Sequence, residues 1–182
     1  MGKATQDLRN EHEAILFVLK IMDRMIETNA ADNNTGYCTE LVYFLRIFAD
    51  QCHHGKEENF LFKALESSGI PNEGGPIGAM LSDHAEGRGH ISAMSNALDA
   101  KVAEAFNAAA AKYRDLLRIH INKENMILFK MADEALDDDA QADLFEQFEQ
   151  HEENVIGHGV HEKLHAMIET WAGVFDVSED AH

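Results

Sequence analysis

The chain has 182 residues, with 33 acidic and 15 basic side chains and a formal net charge of −18. This balance argues against nucleic acid or an anionic membrane as a partner, because phosphate groups would be repelled. Two cysteines are too few for a disulfide scaffold, and no apolar stretch approaches the roughly 20 residues that span a bilayer. We therefore expect a single cytoplasmic domain over residues 1–182 with reduced thiols; the oligomeric state stays open.

Clusters of Gly, Pro, Asn and Asp divide the chain into five helical segments. Pro76 suits the first turn of the third segment, and the acidic run 137–139 can cap the fifth. Long helices joined by short loops predict an all-α fold, an antiparallel up-down four-helix bundle with an additional C-terminal helix. The expected segments are about 5–28, 37–69, 76–98, 102–136 and 140–171.

Two of these segments carry the same pattern. The sequence HHGKEENFLFKAL begins at His53, and HINKENMILFKMA begins at His120. Matching the shared Leu-Phe-Lys places His53 on His120 and Glu57 on Glu124. Residues four apart lie on one face of a helix, about 6 Å apart along its axis, so each pair can approach one centre.

The same alignment assigns the neighbouring residues to the other face. His54 falls on Ile121 and Glu58 on Asn125, and the polar residue Asp50 shares the His54 side. The sequence therefore predicts that His54 and Glu58 lie on the outer, wetter face of the second helix.

Four helices each place a histidine within an apolar stripe, as His12 lies between Leu8 and Ile15. A lone core histidine is more often a hydrogen-bonded structural residue than a ligand, but buried glutamates change this interpretation. An unpaired buried carboxylate is costly, and the core faces offer no lysine or arginine in register, Arg88 being the only counter-charge. Four imidazoles and two carboxylates exceed one tetrahedral zinc site and fit two metal ions bridged by carboxylates. The candidate ligands are His12, His53, Glu57, His84, His120 and Glu124.

This constellation resembles the bacterial hemerythrin-like (HHE cation-binding) family, and the similarity extends over nearly the whole chain. It includes LLRIHINKENMILFKMA and GGPIGAMLSDHAEGR. The resemblance implies a four-helix bundle with two iron ions, bridged by carboxylates and an oxo or hydroxo group, that bind dioxygen or nitric oxide. It also implies iron-ligand roles for the six residues.

The chain departs from oxygen-carrying hemerythrins at two positions. Those proteins place a second histidine where this chain has Arg88, and they end the last pair in an aspartate at five-residue spacing rather than in Glu124 at four. Reversible oxygen carriage is therefore disfavoured, and the variant of bacterial sensors, iron-repair and nitric-oxide proteins fits better. His161, in IGHGVHEKLHAMIETW, is a candidate seventh ligand; the alternative is a fifth helix that only covers the bundle.

The leading functional prediction is a non-haem di-iron protein that binds a small gaseous or peroxide ligand (O2, NO or peroxide) as a sensor or scavenger. Two alternatives stay open. One is a di-iron enzyme that turns over peroxide or NO or donates iron for repair, and the other is a non-redox storage or structural metal site.

Overall fold

A computed structural model describes residues 1–178, and this part of the chain is helical with no β-strand. None of its helices is both long and apolar enough to cross a membrane. The last four residues of the predicted 1–182 domain, 179–182, lie outside the described residues. The α-helices are α1 (Lys3–Glu27), α2 (Ala30–Asn33), α3 (Thr35–Phe44), α4 (Phe62–Ser67), α5 (Pro76–Ala100), α6 (Ala103–Lys123), α7 (Phe129–Ala135), α8 (Asp138–Val155) and α9 (Val160–Phe175), with π-helical segments π1 (Leu45–His54), π2 (Glu57–Leu61) and π3 (Glu124–Leu128).

Four long helices form the bundle: α1, the helix over 35–67, α5, and the helix over 103–135. The second contains α3, π1, π2 and α4, and the fourth contains α6, π3 and α7. On α5, Asp83 pairs with Lys123 while the later residue Gly87 packs against the earlier residues Tyr113 and Leu117, so α5 and α6 run antiparallel. The all-α bundle predicted from the sequence is confirmed.

Two predicted helix starts are also confirmed. Pro76 is the first residue of α5, where its missing N–H costs no helical hydrogen bond. Asp137 precedes α8, and its side chain accepts a hydrogen bond from the Ala140 amide at 2.9 Å.

The prediction of one continuous fifth helix was wrong. The chain forms α8 and then α9, separated at Gly157 and Gly159, whose φ angles are +81° and +83°. A left-handed backbone is accessible to glycine without a Cβ penalty, so these two residues end one helix and begin another.

The apolar core consists of two clusters with a polar layer between them. On α1, Leu8 belongs to one cluster and Ile15 to the other, and His12 lies between them. Trp171 anchors α9 to the larger cluster: its ring packs edge-to-face against Phe44 with the centroids 5.7 Å apart, and its Nε1 donates to Glu40 at 2.9 Å. The fold thus buries a polar layer across the middle of the bundle.

Candidate metal centre

The structure brings six of the seven predicted site residues together in the polar layer. They come from all four long helices, and each is no more than 1% exposed: His12, His53, Glu57, His84, His120 and Glu124. Both His–Glu pairs are four residues apart on one helix, as the repeat predicts, and the bundle brings the remaining two histidines to meet them.

Each carboxylate joins histidines from different helices. Glu57 Oε1 lies 3.5 Å from His53 Nε2, and its Oε2 lies 3.2 Å from His84 Nε2. Glu124 Oε2 lies 3.2 Å from His12 Nε2 and 3.3 Å from His120 Nε2. The two glutamates therefore connect one side of the layer to the other.

The outer ring nitrogen of each of these histidines has an oxygen acceptor. A proton held on Nδ1 in this way leaves Nε2 with its lone pair directed at the centre, which is the arrangement usual for metal-bound histidine. The Nδ1 partners are Asn125 for His12 (2.9 Å), Glu11 for His53 (2.7 Å), Glu58 for His84 (2.7 Å) and Asp83 for His120 (3.3 Å).

Most of the inward-facing atoms lack the partners that buried polar atoms need. His84 Nε2 and His120 Nε2 lie 3.2 Å apart and share one hydrogen bond when one of them carries a proton. Among the described residues, six other inward atoms form no hydrogen bond, and each such atom costs about 1–3 kcal/mol. They are His12 Nε2, His53 Nε2 and both oxygens of Glu57 and of Glu124. The donor set therefore fits bound cations, which would satisfy all of these atoms.

Burial also shifts the protonation of the layer. Desolvation lowers the pKa of His53 and of His120 to about 3 and raises the pKa of Glu124 to about 8. Burial alone would lower the pKa of His84, but the carboxylates of Glu57 and Glu58 raise it to about 9. Since metal ligands bind in their deprotonated forms, a cation entering this layer would displace protons.

The prediction that His54 lies on the outer face was wrong. His54 is only 3% exposed, and its ring stacks on that of His84 with centroids 3.8 Å apart. The alignment assumed α-helical phase, but π1 ends at His54, and its wider turns bring neighbouring side chains closer in angle than the 100° of an α-helix. Glu58 is half-buried and contacts His84 rather than standing free in solvent.

His54 is a potential metal ligand that the sequence did not predict. Its one visible signal was the His-His doublet at 53–54, which the alignment resolved in favour of His53 alone. Two groups of potential ligands result, and the ligand atoms within each lie within 4.8 Å of one another. They are His54, Glu57, His84 and His120, and His12, His53, Glu57 and Glu124.

The sequence indicates Arg88 as the only counter-charge, but the structure also buries Lys56 beside the layer. Lys56 is 1% exposed, and its Nζ contacts Glu11 at 2.7 Å, Glu152 at 3.0 Å and Asp7 at 3.1 Å. Glu11 is also the partner of His53, so the charge of Lys56 stabilises the carboxylate that holds the outer nitrogen of His53. Arg88 likewise pairs with outer carboxylates, at Asp50 and Glu58.

The structure does not bring His161 to the polar layer. Its side chain is 45% exposed, its Nε2 lies 3.7 Å from Glu152 Oε1, and its ring is next to that of His165. It lines a cleft of about 660 Å³ between α1, α8 and α9 that none of the six converging residues lines. Because α9 begins only after the glycine break, its first turn lies over Glu152 of α8.

Comparison with known proteins agrees with this geometry. The family model described as hemerythrin HHE cation binding domain matches residues 3–132, which include all six converging residues and His54. Searches of curated proteins and of solved structures found no match.

Proposed function

Because the chain belongs to the hemerythrin HHE cation-binding family, we propose that it is a non-haem di-iron protein that binds O2, NO or peroxide as a sensor or scavenger. The observation that carries this proposal is the convergence of buried histidine Nε2 atoms and glutamate oxygens, six of which have no hydrogen-bond partner among the described residues, while each Nδ1 is held by an outer oxygen.

The donor arrangement supports two ions rather than one. Metal–nitrogen distances are about 2.1 Å, so ligand atoms on one ion lie roughly 3 to 4.2 Å apart. The potential ligands form two groups, each with its ligand atoms within 4.8 Å of one another, and Glu57 belongs to both. Glu57 Oε1 faces His53 and its Oε2 faces His84. Glu124 Oε2 lies 3.2 Å from His12 Nε2 in one group and 3.3 Å from His120 Nε2 in the other. We therefore infer that Glu57 and Glu124 are shared between two ions.

Iron accounts for the donor chemistry and the small ligand together. Imidazole and carboxylate suit several divalent ions, and iron adds one-electron redox chemistry and affinity for small oxidants. Leu61, Leu128 and Phe129 lie in the apolar cluster on one side of the layer. This burial admits a diatomic or peroxide ligand and excludes a large substrate. We place the activity in the cytoplasm, in keeping with the free thiols of Cys38 and Cys52.

The first test is elemental analysis of the whole protein from cells grown with iron. We expect two iron ions per chain, and anaerobic titration of the reduced protein with O2 or NO should produce a ligand-to-metal charge-transfer band. Glu57→Ala should lose both, whereas the control His90→Ala, at a histidine that belongs to neither donor group, should keep both. Zinc or manganese in the protein, or iron with no spectral response to either gas, would contradict the proposal.

Turnover measurements on the same iron-loaded protein distinguish a binding function from an enzymatic one. Catalytic turnover of peroxide or NO by the iron-loaded chain, lost in Glu57→Ala and kept in His90→Ala, would favour the enzyme. A band that saturates at a fixed ratio of ligand to chain, with no turnover, supports a sensor or scavenger.

A further inference from the structure

We propose that His54 is a seventh protein ligand of this centre and completes a three-histidine set with His84 and His120. The proposal rests on the di-iron function and concerns which side chains hold each ion. The alignment of the two repeated segments does not predict a ligand role for His54, because His54 aligns with Ile121 in the second copy.

The first support is the state of the His54 ring. It is buried, and neither of its nitrogens forms a hydrogen bond among the described residues. A structural core histidine normally has such partners, since a buried unpaired polar atom is costly. One of its nitrogens lies within 4.8 Å of ligand atoms on Glu57, His84 and His120, which is where a cation would satisfy it.

The second support is that His54 has an outer carboxylate, as three of the converging histidines do. Its Nδ1 lies 3.5 Å from Asp50 Oδ1 without forming a hydrogen bond, whereas His84 Nδ1 forms one with Glu58 Oε1 at 2.7 Å. A carboxylate near the outer nitrogen orients the ring and leaves the other nitrogen for metal. The ring of His54 is therefore set as a ligand would be.

The third support is the position of Arg88. Its Nε donates to Asp50 Oδ1 at 2.9 Å, and its Nη2 donates to Glu58 Oε1 at 2.6 Å. One guanidinium thus holds both carboxylates that face the rings of His54 and His84. Arg88 therefore links the two carboxylates that lie beside these histidines.

The consequence is an unequal pair of ions. His54, His84 and His120 would hold one ion with Glu57, and His12 and His53 would hold the other with Glu57 and Glu124.

The test variant is His54→Phe, which keeps an aromatic ring to stack on His84 and removes both nitrogens. Ferrous iron affinity is measured anaerobically on the full chain by competition with a chromophoric chelator. The wild type should bind two ions, and His54→Phe should bind one of the two at least about tenfold more weakly. His161→Phe, an exposed histidine outside the layer, is the matched control and should keep both affinities.

The outcomes separate the two proposals. Two ions bound by His54→Phe with wild-type affinity would overturn the role of His54 and leave the di-iron function standing. Failure of the wild type to bind two ions would overturn the function itself and this assignment with it. If circular dichroism shows that His54→Phe is unfolded, a crystal structure of the iron-loaded wild type decides: a His54 nitrogen about 2.1 Å from iron supports the assignment, and one beyond about 3 Å overturns it.

Discussion

At the scale of single residues, the polar layer depends on side chains that do not themselves face its centre. Glu11 illustrates this, because one of its oxygens contacts His53 Nδ1 and the other contacts Lys56 Nζ, each at 2.7 Å. The lysine neutralises a carboxylate whose pKa is raised by burial, and the carboxylate in turn orients the histidine. The outer residues Glu11 and Lys56 and the inward-facing His53 therefore form one hydrogen-bonded network.

Lys56→Met should destabilise the protein by about 3–5 kcal/mol, because it leaves the buried Glu11 without its counter-charge. Lys63→Met, on the exposed side of the same helix, is the matched control and should change the free energy of unfolding by at most about 0.5 kcal/mol. Urea denaturation of both variants measures the difference. Equal effects would show that the buried network does not matter for stability.

Glu124→Gln should change how the stability of the metal-free protein depends on pH. Burial raises the pKa of Glu124 from 4.5 to about 8, so between these values the folded chain keeps a proton that the unfolded chain has released. Stability must then fall as pH rises through this window, by at most about 1.4 kcal/mol per pH unit. The glutamine variant lacks this loss, so its advantage over the wild type should grow from pH 5 to pH 8 in denaturation curves. A constant difference across that range would contradict the shift.

At the scale of elements, the π-helical segments decide which side chains enter the layer. All three lie in the two helices that carry His-x-x-x-Glu, and π1 ends at His54 while π2 and π3 begin at Glu57 and Glu124. An added residue in a helical turn is a recurrent feature of functional sites, because it redirects side chains at the cost of some backbone hydrogen bonding. In the described chain, the C-terminal helix α9 contributes no side chain to the polar layer, and its buried face packs on the larger apolar cluster.

Trp171→Ala should therefore separate stability from metal binding. Loss of this fully buried ring should cost about 3–5 kcal/mol, because it removes the contact with Phe44 and leaves a cavity. The number of iron ions per chain should stay unchanged, as no described residue of α9 joins the donor groups. Val174→Ala, at an exposed position on the same helix, is the control and should change neither quantity. Loss of iron in the folded Trp171→Ala variant would show that α9 supports the layer directly.

At the scale of the whole molecule, the polar layer links all four long helices across the middle of the core. Bound ions would therefore stabilise the packing of the entire bundle rather than one hairpin. In their absence the fold carries unpaired buried atoms between its two apolar clusters.

Iron removal should accordingly lower the melting temperature. Ligand at about 1,000 times its Kd adds about 4 kcal/mol to the stability of the native state. For a chain of this size each kcal/mol shifts Tm by about 2–4 °C, so the expected shift is roughly 8–16 °C. Anaerobic calorimetry with ferrous iron measures it, and Mg²⁺, which prefers oxygen ligands, is the control that should give no shift. Equal shifts with both ions would contradict a histidine-rich site.

Much of the fold could be predicted from the sequence because helical periodicity is local. Loop composition and capping residues such as Pro76 and Asp137 identified where helices begin, and apolar stripes identified which face each helix buries. The prediction of a single fifth helix was wrong because Gly157 and Gly159 adopt left-handed conformations. Glycine can adopt either a left-handed or a helical conformation, so its presence alone does not predict a break. The two iron ions, the small ligand and the cytoplasmic location stay predictions.

The all-helical fold and the six inward-facing side chains follow from local sequence patterns, since residues three or four apart on one helix must share a face. Three other features follow from tertiary packing: His54 turns inward, Lys56 is buried among three acids, and His161 lies over Glu152. Those positions depend on π-helical turns and on which distant helices meet, and packing between residues far apart in the chain sets both.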